Sequence, residues 1–248
     1  RNKRIFNLRA QEPIGLQELV EQQQRDLAYT KEKIGPAKFR FKNPYQEELA
    51  SFFLEADDAI ITENNDVEIF VDGQEKFDRL KEDIKNAKHH IHLLYYIFNQ
   101  DEVGEEIMQL LIDKAQEGVE VLVIYDALGS RMTRNSFWNK LHEAGGQSVA
   151  FFGYTLGFIN WRINYRNHRK IAVIDGKIGY IGGFNVGDEN LGKGPLGARR
   201  DTHIRIAGDA VYSLQSRFLV EWNAAVIEEK RREFIPEYFP LTETKGEN

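Results

Sequence analysis

Two nearly continuous apolar runs, Ile91–Phe98 and Val119–Tyr125, constrain this chain most. A strand with water on one face alternates apolar and polar residues, whereas an unbroken run suits a sheet covered on both faces. Between the runs, Ile107, Leu110, Leu111 and Ala115 recur at helical spacing, and Gly118 is placed to cap that helix. The alternation extends both ways. Val67–Val71 reads as a strand, and Phe77, Leu80, Ile84 and Ala87 as one face of a helix. Phe137, Trp138 and Leu141 mark a helix ending at Gly145-Gly146, and Val149–Phe152 a further strand. This order predicts an α/β fold, an α-β-α sandwich whose central sheet is mixed, largely parallel and flanked by helices.

After residue 166 the pattern changes. Lys170–Ile174 and Ile178–Ile181 read as strands joined by a hairpin turn at Asp175-Gly176-Lys177. Thr202–Ile206 is a last strand, and Gly208-Asp209 opens a helix with Val211, Leu214, Phe218 and Trp222 on one face. Residues 1–60 read as a helical, polar preamble, 61–228 as the main domain and 229–248 as a charged tail or linker. Within the preamble, Asn43-Pro44 is a helix start, followed by the apolar stripe Tyr45, Leu49, Phe52 and Phe53. Its acidic companions Glu47, Glu48 and Glu55 favour packing on the main domain over a membrane surface. No internal repeat is present.

A net charge of -6 and a pI near 5.6 argue against a non-specific nucleic-acid binder, which needs basic surface to displace counterions. The chain has no cysteine, which excludes disulfides, thiolate metal ligands and a thiol nucleophile, and fits a reducing compartment. No run of apolar residues reaches membrane-helix length. The chain opens on the basic cluster Arg1-Asn2-Lys3-Arg4 with no initiator Met. That suggests a piece of a longer protein, with membrane helices upstream and the basic run on the cytoplasmic face of the cell membrane.

The chemistry concentrates in one segment. His168, Lys170 and Asp175 stand in the spacing H-x-K-x4-D, and Gly182-Gly183-Phe184-Asn185 follows. A histidine nucleophile, a fixed cation, a glycine pair and an amide together suit a phosphodiester. In a strand His168 and Lys170 project from one face, whereas Asp175 has the opposite parity and sits at the turn. Parity therefore assigns Asp175 to the hairpin or a neighbouring backbone. Each piece alone is common on ordinary surfaces, and the information lies in the combination.

The combination resembles the phospholipase D superfamily signature, H-x-K-x4-D-x6-G-[SG]-x-N, at every position. The surrounding residues resemble bacterial cardiolipin synthases: Arg166-Asn167, Gly187-Asp188, Leu191-Gly192-Lys193-Gly194 and Arg200-Asp201-Thr202-His203. Upstream, His89-His90-Ile91-His92 and Tyr95-Tyr96-Ile97-Phe98 are similar too. The resemblance spans roughly residues 60–230. It implies a phospholipase D-like fold and phosphatidyl transfer through a phosphohistidine, without metal or other cofactor. It also implies a catalytic set of His168, Lys170, Asp175 and Asp201, with Lys170, Gly182, Gly183 and Asn185 binding phosphate. Since parity turns Asp175 away, Asp201 is the expected orienting carboxylate for His168. The implied partners are phosphatidylglycerol in an anionic phospholipid membrane, with no nucleic acid. Family members carry the signature twice, and this chain carries it once, so a second half or a second copy of the chain must complete the site. The rivals are a one-motif homodimeric phospholipase D or nuclease, and a non-catalytic phosphate-binding half-domain.

Three other features carry rival readings. His89, His90 and His92 suggest a metal, but without a matching ligand pair they read as the start of a strand. His203, two residues after Asp201, reads as a core or surface residue. The aromatics Phe151, Phe152, Tyr154, Phe158 and Trp161 suit either core packing or an acyl-facing loop.

Overall fold

A computed structural model describes residues 41, 43–57, 59–62, 64–151, 167–193, 197 and 200–240, with 21, 24 and 25. The chain divides into two compact units, Arg1–Glu63 and Asn64–Asn248. In the first, helix α1 (Pro44–Asp57) begins where Asn43 Oδ1 accepts the Gln46 amide at 3.1 Å. Its apolar stripe of Tyr45, Leu49, Phe52 and Phe53 is exposed rather than buried.

The second unit is a seven-stranded sheet with helices on both faces. Its strands are β1 (Asp66–Phe70), β2 (His90–Tyr95), β3 (Glu120–Asp126), β4 (Gln147–Phe151), β5 (Lys170–Ile174), β6 (Ile178–Gly182) and β7 (His203–Ala207). They lie in the order β1-β7-β6-β5-β2-β3-β4. The expected mixed sheet is present. β1, β2, β3, β4 and β6 run one way, and β5 and β7 the other. Only β2–β3 and β3–β4 are parallel pairs. The hairpin and β7 insert between β1 and β2, so strands of like direction are mostly not neighbours.

Helices α2 (Gly73–Asn86), α3 (Glu102–Gln116) and α4 (Asn135–Glu143) follow β1, β2 and β3, and α5 (Val211–Ala225) follows β7. Asp72 caps α2 by accepting the Glu75 amide at 3.1 Å, and Asp101 caps α3 by accepting the Gly104 amide at 3.1 Å. On α2, Phe77, Leu80 and Ile84 are wholly buried at three- and four-residue spacing. Burying each such side chain contributes about 1.5–3 kcal/mol. They join Tyr95, Ile107, Phe137 and Val186 in the core on one side of the sheet. The core on the other side gathers Leu94, Leu122, Ile171, Phe218 and Trp222 beneath α5. Alternate β2 residues feed the two cores, which is why that strand reads as an unbroken apolar run. Among the described residues, no helix is long and apolar enough to cross a membrane.

The loop after β6 is held to the loop after β2. Phe98 and Val186 form an isolated parallel bridge, with Asn99 N donating to Val186 O and Val186 N to Ile97 O, each at 3.0 Å. Beyond it, Asp101 accepts the Asp188 amide at 2.8 Å and Asp188 accepts the Val103 amide at 3.0 Å. Each carboxylate serves the other's segment, and so the Gly182–Asn185 turn has little freedom to drift.

Candidate active site

His168 stands just before β5, exposed, at the sheet end where β2 finishes. Its ring stacks on Tyr96, with centroids 3.9 Å apart and planes 16° from parallel. Tyr96 follows the buried Tyr95, and the change of parity turns it outward, where it covers one imidazole face.

Lys170 is half-buried at the start of β5. Its Nζ donates to the His168 carbonyl at 2.6 Å and lies 5.6 Å from the Tyr96 ring centroid. Burial lowers its pKa from the usual lysine value, and the Asp201 carboxylate opposes that shift. The cation is thereby held close to the histidine without a direct ion pair.

Asp201 precedes β7, which pairs with β6. Its carboxylate lies against Gly183: a Cβ on that residue would meet Asp201 Oδ1 at 1.8 Å. Gly183 N donates to Thr202 O at 2.9 Å, and Thr202 N to Asp201 Oδ1 at 2.7 Å. Gly182 is just as confined, since a Cβ there would meet the His203 Cα at 2.5 Å. The glycine pair is thus dictated by close approach of β7 as well as by any ligand. Among the described residues no hydrogen bond joins Asp201 to His168.

Asn185 Oδ1 accepts the Ile97 amide at 3.2 Å. Its Nδ2 has no hydrogen-bond partner among the described residues, so the amide is anchored by its oxygen and offers its donors outward. Asn190 Nδ2 holds the Asn185 carbonyl at 2.9 Å. Imidazole, ammonium and amide donors therefore meet at one end of the sheet, and Asp201 is the carboxylate beside them.

Asp175 does not join them. It stands at the opposite end of β5 with φ of 54°. Its carboxylate accepts the amides of Lys88, His89 and His90 at 2.7–3.1 Å. As a member of the catalytic set it is displaced by the length of β5, roughly 16 Å for five residues. Its parity and its turn position had assigned it to backbone.

The histidines of β2 form a buried chain at that same far end. His90 Nε2 meets Gln215 Oε1 at 3.1 Å, Gln215 Nε2 meets His92 Nδ1 at 2.9 Å, and His92 Nε2 meets Glu120 Oε1 at 3.2 Å. Tyr238 and Arg232 also donate to Glu120, at 2.5 and 2.7 Å. Burial drives the His90 pKa down to about 2 and lowers that of His92. Glu120, despite burial, is held down at about 2 by hydrogen bonds from His92, Tyr238 and Arg232. These partners are those of a structural network.

Sequence reasoning missed Tyr96. The signal for Tyr96 was present, since the second of two tyrosines ending a buried strand must face the other way. Of the aromatic run, Phe152, Tyr154, Phe158 and Trp161 lie outside the described residues.

Residues 80–222 match the phospholipase D-like domain of cardiolipin synthases. The chain belongs to that family. It is 48% identical over 248 residues to a cardiolipin synthase of Listeria monocytogenes, covering 98% of this chain and 50% of that protein. It is 45% identical to the major cardiolipin synthase ClsA of Bacillus subtilis, covering 99% of this chain and again 50% of the relative. The chain thus spans about half the length of these curated relatives. The fold is similar to the crystal structure of Nuc, a phospholipase D family member from Salmonella typhimurium. The TM-score is 0.50 and the identity 17%, over 65% of this chain and 97% of that one. It is also similar to phosphatidylserine synthase of Haemophilus influenzae, at TM-score 0.50 and 19% identity, over 63% of this chain and 36% of that one.

Proposed function

We propose that this chain is the nucleophile-bearing half of a cardiolipin synthase-type phosphatidyltransferase. The observation that carries the reading is the convergence at one sheet end of His168, Lys170 and the Asn185 Nδ2 donor, which has no hydrogen-bond partner among the described residues. His168 attacks phosphorus of one phosphatidylglycerol, and the bond to the glycerol oxygen breaks. A second histidine protonates the departing glycerol and then deprotonates a hydroxyl of another phosphatidylglycerol. That oxygen attacks the phosphohistidine, which releases His168 and yields cardiolipin. Lys170 and Asn185 donate to the phosphoryl oxygens, where charge accumulates in the transition state. Asp201 is assigned to orient His168, because Asp175 is fully engaged elsewhere.

The second histidine is assigned to a further phospholipase D-like half, a reading supported by relatives about twice as long as this chain. The substrate is presented by an anionic phospholipid membrane, at its cytoplasmic face. The test is a His168→Ala variant of the full-length protein in phosphatidylglycerol vesicles. Loss of both cardiolipin formation and the acid-labile phosphoenzyme is expected. Undiminished turnover would exclude His168 as nucleophile.

A further inference from the structure

Beneath the site lies an amine with no counter-charge. Lys76, in the first turn of α2, is wholly buried. Its Nζ is 3.2 Å from the Tyr95 hydroxyl and 4.0 Å from the centroid of its neighbour Phe77. No carboxylate reaches it among the described residues. Arg205, on the same side of the sheet, has two: Asp83 and Glu68, each at 2.7 Å. Next to Lys76 is a second buried orphan, His203, stacked on Phe184 with planes 10° apart. Among the described residues neither ring nitrogen of His203 has a hydrogen-bond partner. Burial and the positive charges of Lys76 and Lys170 drive its pKa down to about 2. His203 therefore lies within electrostatic reach of both lysines.

Strand register explains the grouping. Tyr95 is opposite Lys170 across β2–β5, and His203 is opposite both Gly182 and Phe70. On β5 and β6, Lys170 and Gly182 are the next residues outward from the pair Ile171 and Ile181. Directly opposed residues share a face. One rung thus reads Tyr95, Lys170, Gly182, His203, with Lys76 inserted from α2 below and no side chain at the glycine. This rung is the outermost at the sheet end where His168 and Asn185 stand.

A fully buried lysine without an acid is costly, because burial disfavours its charged form. Its pKa is accordingly pushed well below the usual value by burial. The cost is unexplained by packing, since a methionine would fill the same space. It is explained if an anion arrives. We propose that Lys76 is an electrostatic positioning residue, a buried amine that becomes charged when a phosphodiester is held by His168, Lys170 and Asn185 and supports the phosphoryl charge from beneath. The inference rests on the phosphatidyl-transfer reading above. Tyr95 from β2 faces Lys76 directly, Lys170 from β5 and His203 from β7 stand on the same rung, and β6 presents Gly182 there and, one step further along the same face, Tyr180 bonded to Asp83.

The test compares Lys76→Met, Tyr95→Phe and His168→Ala in the full-length protein, with phosphatidylglycerol vesicles as substrate. Removing a preorganised charge from a reacting oxyanion costs roughly a hundredfold in direct contact, so about tenfold in kcat is expected for Lys76→Met, with KM nearly unchanged. The alkaline limb of its kcat profile should change shape, because one deprotonation no longer matters. Its Tm should equal or exceed that of the parent, since an unpaired buried amine has gone. Tyr95→Phe should lower kcat in the same direction. Parental kcat in Lys76→Met overturns the proposal. So does a loss accompanied by a lower Tm and an unchanged pH profile, which marks a structural role. Should Lys76→Met not fold, parental kcat and pH profile in Tyr95→Phe overturn it instead. Turnover surviving in His168→Ala sinks the functional reading itself. A dead His168→Ala beside a fully active Lys76→Met sinks only this inference.

Discussion

Gly183→Ala isolates the contact that fixes Asp201. The new Cβ would lie 1.8 Å from Asp201 Oδ1, 2.1 Å from Cγ and 2.2 Å from Oδ2. Real Cβ atoms essentially never approach closer than 3.0 Å, so carboxylate and backbone must separate by at least 1.2 Å (3.0 minus 1.8). Neither side yields freely. Gly183 N is bonded to Thr202 O at 2.9 Å, and Asp201 Oδ1 receives Thr202 N at 2.7 Å. Retreat of the carboxylate breaks the second bond, which is worth about 1 kcal/mol net. Crowding adds about 1–3 kcal/mol. A displacement of this size at a catalytic group costs roughly a hundredfold in rate. Cardiolipin formation by the full-length variant should fall by that factor, with a modestly lower Tm. Asp201→Asn, which keeps shape and removes charge, is the companion. Asp201 raises the Lys170 pKa, so its neutralisation lowers that pKa further and moves the alkaline loss of activity to lower pH. Parental kcat in Gly183→Ala would refute the idea that this contact places Asp201 for catalysis.

Other expectations follow from the same geometry. Asp175→Ala strands three amide donors and keeps a positive φ, and should cost about 2–4 kcal/mol in denaturant titration. Asp175→Asn, which tolerates that φ, should cost less. Asn185→Ala should lower kcat by about ten- to a hundredfold in the vesicle assay, by removing a phosphoryl donor. His90, His92 and His203 all have folded pKa values below the ordinary 6.5, so the unfolded chain takes up their protons first. Stability is complete above about pH 6.5 and falls with decreasing pH, at up to about 1.4 kcal/mol per unit for each histidine. Glu120, depressed to about 2 from 4.5, adds a loss below about pH 4.5. Denaturant midpoints measured from neutral to acidic pH should drop accordingly, and a flat profile would contradict the buried neutral histidines.

Local periodicity was legible where one residue's environment sufficed to set it. The apolar runs announced β2 and β3, the hairpin turn announced β5 and β6, and Gly118 marked the end of α3 with φ of 90°. The position of β1 was not legible. Its direction follows from alternation, but its place beside β7 depends on pairing across the whole unit, which no local pattern encodes. For the site, strand parity separated Asp175 from His168 and Lys170 correctly. Lys76 and His203 were hidden because burial of a polar group depends on what packs over it. A lysine on the apolar side of an amphipathic helix ordinarily bends out to water.

The engagement of Asp175 gives the spacing of the signature a meaning beyond chemistry. β5 does its work at one end and is moored at the other, where the carboxylate grips the amides that open β2. The intervening residues act as a ruler. Insert one, and everything between mooring and histidine turns over, so that Lys170 faces α5 instead of α2. What such a signature sets is thus a length, and its aspartate is the zero mark from which the nucleophile is measured.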